Sequence, residues 1–121
     1  NLEEAVVIYT KILDSVSDKD KNVIAVIRKH RGMAYFSMND YKNALVDFEV
    51  SLQFDSKAYR THYYMGIVYS ITKEYEKACE CFNTSLEINP FQAHTNFRLA
   101  MAYYELQEYE NERSEIIEKV C

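Results

Sequence analysis

The chain repeats itself. Gly66, Tyr69, Tyr75, Ala78, Phe82 and Leu86 stand 34 residues after Gly32, Tyr35, Tyr41, Ala44, Phe48 and Leu52, and the series begins a third time with Ala100, Tyr103 and Tyr109. A strict period of this length, carried by small residues and aromatics, means one supersecondary unit used several times, with each copy burying part of its apolar surface against the next. Inside each copy the apolar positions recur three and four apart: Tyr41, Ala44, Leu45, Phe48 and Leu52, then Tyr75, Ala78, Cys79, Phe82 and Leu86. That is the spacing of one helical face. Two glycines and one proline in 121 residues leave little licence for the tight turns of a hairpin-rich sheet. The expected fold class is therefore all-α.

The same periodicity predicts seven helices, at about residues 2–13, 22–38, 41–54, 57–71, 75–88, 91–106 and 109–120. Between them stand a polar connector from Asp14 to Asp20 and short turns at Asn39-Asp40, Asp55-Ser56, Lys73-Glu74, Asn89-Pro90 and Gln107-Glu108. Proline disfavours the helical region for Asn89 and is itself suited to start the helix that follows.

These residues carry a resemblance. The chain resembles the tetratricopeptide repeat family, whose unit reads aromatic, Leu-Gly, Tyr, Ala, aromatic, Pro. The middle copy gives Met65-Gly66, Tyr69, Ala78, Phe82 and Pro90; the first gives Arg31-Gly32, Tyr35, Ala44 and Phe48, with Ser56 in place of the proline. The third gives Leu99-Ala100 and Tyr103, then Glu112 where alanine would stand and Ile116 where the aromatic would be. The family's leading tryptophan is replaced by Arg28, His62 and Asn96. The resemblance implies a right-handed superhelical solenoid of antiparallel helix pairs, with units at 25–58, 59–92 and 93–121. In this arrangement Gly32, Gly66 and Ala100 would let the second helix of each pair approach the first, opposite Ala44 and Ala78, while Tyr35, Phe48, Tyr69 and Phe82 fill the flanks.

The ends depart from the pattern. Leu2, Ala5, Val6, Tyr9, Ile12 and Leu13 look like the second helix of a preceding unit, which makes residues 1–24 a leading helix and connector. The junction from Leu13 to residue 25 is five residues longer than the one from Leu52 to residue 59. Because the chain starts in the middle of a helical pattern, it is read as an excised fragment. At the other end Glu112 and Arg113 interrupt the apolar stripe, while Ile116, Ile117 and Val120 remain. Two readings stay open there: a polar cap, or an end whose continuation is missing.

The resemblance also places a groove on the concave side, facing the first helix of each pair. Its positions would be Val26, Lys29, His30, Met33, Phe36 and Ser37, then Arg60, Tyr63, Tyr64, Ile67, Ser70 and Ile71, then His94, Phe97, Arg98, Met101, Tyr104 and Glu105. On a chain of net charge −5 this mixture of aromatics with Lys29, Arg60 and Arg98 is distinctive. It points to a protein–protein interaction module or scaffold that takes an extended or helical peptide, with aromatics as anchors and cations orienting acidic groups. The other burial pattern is that neighbouring helices cover these aromatics. Some family members clamp a peptide's terminal carboxylate, as chaperone-associated modules do; of the five clamp positions only Lys29 and Arg98 match, with Met33, Tyr64 and His94 at the others. An acidic or aromatic-acidic peptide is therefore the expected ligand. The alternative is a structural segment of a longer solenoid that self-associates as a homo-oligomer through its end helices.

Other classes find little support. Negative net charge argues against nucleic acid as the main partner. The run Arg28-Lys29-His30-Arg31 spans a full helical turn, so its members face different ways and are expected to be solvated or paired. The glutamates from Glu105 to Glu118 are read as a solvated face. No apolar run approaches the ~20 residues of a membrane span. Neither a phosphate-cradling glycine loop nor a nucleophile beside a histidine is recognisable, so no enzyme, cofactor or metal is expected. Cys79, Cys81 and Cys121 make no disulfide framework; reduced thiols and a cytoplasmic setting are the expectation.

Overall fold

The computed structural model describes residues 1–120, so Cys121 lies outside the described residues. Among them are six helices and no strand: α1 (Leu2–Ser15), α2 (Lys21–Ser37), α3 (Tyr41–Phe54), α4 (Tyr59–Ile71), α5 (Tyr75–Ile88) and α6 (Ala93–Val120). Pairs α2/α3 and α4/α5 pack closely, α1 lies against α2, and α6 lies against α5. The chain is thus a solenoid of helix pairs with single helices at its two ends.

The two pairs turn in the same way. Asn39 and Lys73 adopt left-handed backbone, with φ of 63° and 66°. In each case the following amide reaches back over the helix end, Asp40 N–H to the Tyr35 carbonyl (2.9 Å) and Glu74 N–H to that of Tyr69 (2.8 Å). This is a Schellman closure, which satisfies carbonyls left over at the helix end.

The third turn expected at Gln107-Glu108 does not form, and no seventh helix starts at Tyr109; α6 runs straight through both. A non-glycine residue in the left-handed region costs roughly 1–2 kcal/mol, and a returning helix must offset that by packing. Here Glu112 and Ile116 replace the alanine and the aromatic that would interlock with α6. Gln107, Glu108 and Glu110 are good helix formers, so continuing the helix wins. As a consequence Ala100, at the position of Gly32 and Gly66, is exposed and receives no second helix. Smaller differences lie at two helix starts: α4 begins at Tyr59 and α6 at Ala93, with Pro90 and Phe91 in the connector. That connector is pinned by the buried Gln92 amide, which donates to the carbonyls of Ser85 (3.0 Å) and Asn89 (2.6 Å) and accepts from Thr95 Oγ1 (2.8 Å).

The two glycines have a plain steric reason. A Cβ on Gly32 would lie 2.8 Å from Phe48 Cδ1, and one on Gly66 would lie 2.5 Å from Phe82 Cε1. Each ring rests on the backbone of the preceding helix. Gly66→Ala is therefore expected to destabilise the chain by about 1–3 kcal/mol through overpacking, even though alanine favours helix by up to ~1 kcal/mol. Adding Phe82→Leu, which shortens the ring that clashes, should recover part of the loss in urea melts. An unchanged midpoint in Gly66→Ala would show that the ring can step aside.

A second repeated tie joins the pairs. Ser51 Oγ donates to the Ala25 carbonyl (2.7 Å), and Ser85 Oγ, one period later, donates to that of Tyr59 (2.8 Å). Between pairs, one cluster joins Ala44, Phe48 and Met65, and another joins Ile67, Ala78, Cys79, Phe82 and Ala102. Cys79 belongs to the second cluster and Cys81 packs against the first, so the two thiols point apart and both are free. Burial raises both, Cys81 to about 11, which keeps them protonated near neutral pH.

Candidate functional site

The first helices of the two pairs, α2 and α4, and the end helix α6 meet through aromatic side chains. Phe36 on α2 lies 5.7 Å from Tyr64 on α4, and Tyr63 on α4 meets His94 on α6 edge-on at 4.9 Å. Tyr63 and Tyr64 are themselves in edge contact at 5.5 Å. Behind this row, Tyr64 stacks on Phe48 and Tyr63 tilts over Phe82, so the rings rest on the core. Phe36, Tyr63 and Tyr64 are consequently half-buried, and Met33 and Lys29 likewise. Ile67 belongs to the core itself and offers no free surface.

The residues from α6 are placed differently. Phe97, Met101 and Tyr104 are 67%, 50% and 65% exposed, and His94 and Arg98 are exposed beside them. They follow one another at helical spacing on a face that α5 does not cover. Arg98 is held in place: its Nε donates to Tyr63 Oη (3.0 Å), and its guanidinium lies 6.0 Å from the centre of the same ring. The terminal amino groups of Arg98 carry no hydrogen bond within the described residues. A cation held by one edge with its fork open is suited to a carboxylate.

Two hollows open on these residues. One of about 270 Å³ is lined by Ser70, Tyr75, Arg98, Met101, Ala102 and Glu105. The other, of about 400 Å³, is lined by Asn22, Ala25, Val26, Lys29, Ser51, Phe54, Asp55 and Ala58. Arg60 is exposed and lies against the ring of Tyr59. Among the described residues Lys29, Arg60 and Arg98 enter no ion pair; the pairs formed are Arg28 and Arg31 with Asp47, and Lys77 with Glu74. The positive run in α2 thus divides, with Arg28 and Arg31 turned inward to a buried carboxylate and Lys29 turned outward. Sequence reasoning missed that carboxylate, although the period carries a signal: Asp47 stands where the next unit has Cys81, and Arg31 stands where it has Met65. Among the described residues no cluster of histidine, cysteine and carboxylate side chains could hold a metal ion, and no helix is long and apolar enough to cross a membrane.

A sequence model of the tetratricopeptide repeat family matches residues 59–91. Human tetratricopeptide repeat protein 12 is 33% identical over 66 residues, which are 54% of this chain and only 9% of that protein's length. The first TPR of Spaghetti (RPAP3), solved with the HSP90 peptide SRMEEVD, superposes with a TM-score of 0.79 at 22% identity, over 88% of this chain and 80% of that one. The second TPR domain of human RPAP3, solved with the HSP70 peptide SGPTIEEVD, gives 0.73 at 20% identity, over 84% and 81%. A structure of MamA gives 0.68 at 17% identity, over 98% and 70%. Residues 59–91 thus match the sequence model of the tetratricopeptide repeat family, and the 34-residue period, the glycine-on-ring packing and the Schellman-closed pairs give the chain the fold of those solved TPR domains.

Proposed function

We propose that the chain is a protein-interaction module that binds an acidic or aromatic-acidic peptide along the face shared by α2, α4 and α6. The observation that carries this reading is Arg98, fixed by Tyr63 with its fork open, beside exposed Phe97, Met101 and Tyr104. Exposed aromatics next to an oriented cation supply both anchor and address for a peptide. Lys29 and Arg60 extend the cationic line onto α2 and α4. Half-buried Met33, Phe36, Tyr63 and Tyr64 form the floor, and His94 borders it. The units 25–58, 59–92 and 93–121 each contribute one wall. The peptides bound by the two RPAP3 domains are rich in carboxylates, which accords with this choice of ligand.

The test is fluorescence anisotropy with labelled SRMEEVD and its Met-to-Phe analogue. Binding is expected for the aromatic analogue, weakening with ionic strength. Lys29→Ala/Arg98→Ala is expected to weaken it about tenfold or more, since one charge-assisted hydrogen bond is worth ~1.5–3 kcal/mol. Neither position is part of the core, so the variant should melt like the parent. Binding unchanged in the double variant would sink the assignment.

A further inference from the structure

The far half of α6 carries no returning helix: Leu106, Tyr109, Glu110 and Arg113 face the α4–α5 turn, from Lys73 to Lys77, across a hollow of about 260 Å³, and the residues beyond them run on alone. Leu99, Ala102 and Leu106 pack toward α5, and the same three-and-four spacing continues along the helix as Tyr109, Arg113, Ile116 and Val120. Tyr109, Ile116 and Val120 are 58%, 62% and 82% exposed, with Ile117 exposed beside them. A stripe with this spacing, broken by charge at Arg113, is a seam along which a second helix can pack. A helical stretch of this length is marginal on its own in water, so the seam calls for a partner. Its flanks state which kind. Glu105 and Glu112 border one side, with Lys119 after them, and Glu110 borders the other, where Lys73 and Lys77 across the hollow are balanced by Glu74 and Glu76.

We propose that the distal half of α6 is a docking face for a basic amphipathic helix of another protein, one with apolar residues on its seam and lysine or arginine on its flanks. Flanking charges choose the partner in such pairings, and a lone charged residue in the seam, here Arg113, fixes register. A second copy of this chain fits poorly. A parallel pair sets Glu105 against Glu110. An antiparallel pair sets Glu110 and Glu112 each against its own counterpart and makes the contact of Glu105 with Lys119 twice, so its charges no more than balance. The docking face is separate from the peptide-binding face, since Phe97, Met101 and Tyr104 lie off the seam.

The probe is a synthetic helix with leucine at the seam positions and lysine at the flanks, labelled for anisotropy. Its controls are the same helix with glutamate flanks and the lysine helix with its seam scrambled. The parent chain is expected to bind the first and neither control. Ile116→Asp, at an exposed position that leaves the body of the fold intact, should weaken binding at least tenfold, whereas Lys29→Ala/Arg98→Ala should leave it unchanged. Three outcomes overturn the proposal. Equal binding of lysine and glutamate helices would show apolar stickiness alone. Equal binding of the scrambled lysine helix would show attraction to a polycation alone. Concentration-dependent dimers of the parent in sedimentation velocity, lost in Ile116→Asp, would make a second copy the occupant.

Discussion

Asp47→Ala is expected to lower the stability of the chain by about 3–5 kcal/mol, the cost of leaving a buried charge without its partner. Asp47 is 1% exposed and sits on α3. Arg31 grips it with two bonds, Nε to Oδ2 (2.8 Å) and Nη2 to Oδ1 (2.7 Å), and Arg28 Nη1 adds a third to Oδ1 (3.0 Å). The remaining arm of Arg31 donates to Thr10 Oγ1 on α1 (3.1 Å). One carboxylate therefore ties three helices. The bonds to Asp47 raise the pKa of Arg31 despite its burial; with the carboxylate removed the guanidinium still stays charged, because an arginine's ordinary pKa lies far above neutral pH. The next unit shows how the same site is built without charge: Met65 and Cys81 occupy the positions of Arg31 and Asp47 and pack together with Ala44 and Phe48. Grafting that solution as Arg31→Met/Asp47→Cys should bring the urea midpoint back to the parent value or above it, because exchanging a buried ion pair for apolar contact is often neutral or stabilising. Hydrogen exchange in α1 should nevertheless rise in the double variant, since Thr10 loses its partner. A midpoint unmoved by Asp47→Ala would mean that the pair contributes nothing.

The period of 34 made most of the helices and their pairing legible in advance, but it set the glycines opposite Ala44 and Ala78, whereas the rings of Phe48 and Phe82 lie directly on them. Small residue, ring and spacing are all local to one unit, and each has a direct steric meaning. The third turn was not legible, because Gln107-Glu108 looks no worse than Lys73-Glu74. The difference lies ten residues further on, where Ala78 and Phe82 have their counterparts in Glu112 and Ile116 and the returning helix loses its reward. The ion pair escaped for a related reason. Arg31 and Asp47 lie on different helices, and a run of four basic residues reads as a solvated turn until α3 is laid against it. On the face proposed for the peptide, sequence position named residues of α2, α4 and α6 that lie at different depths. The depth of each residue depends on how closely α2, α4 and α6 approach, and that distance put Ile67 in the core, left Tyr63 and Tyr64 half-buried and left Phe97 and Tyr104 open.

Phe82→Ala is expected to cost about 3–5 kcal/mol and to act on the far end of the solenoid more than on the near one. Phe82 has no exposed surface. Its ring fills the space over Gly66, meets Tyr63 at 6.0 Å, and shares a cluster with Ile67, Ala78, Cys79 and Ala102. It thus belongs both to the contact within a pair and to the one that holds α6 on α5. Gly66 has no side chain with which to fill the void, so the cavity persists or the helices shift. In a repeat array stability is approximately a sum of unit and neighbour-interface terms, and α6 has α5 on one side and no pair of its own. Amide exchange in α6 should therefore rise before that in α2 and α3, and the melting midpoint should fall with it. Peptide binding should weaken in the same variant, because Phe97, Arg98, Met101 and Tyr104 are displayed by α6 and Arg98 is set by Tyr63, which leans on the deleted ring. Phe48→Ala, the same change one unit earlier, should lower the midpoint comparably and leave α6 protected. If the two variants gave the same exchange pattern, the chain would unfold as a single unit and the end helix would have no separate stability to lose.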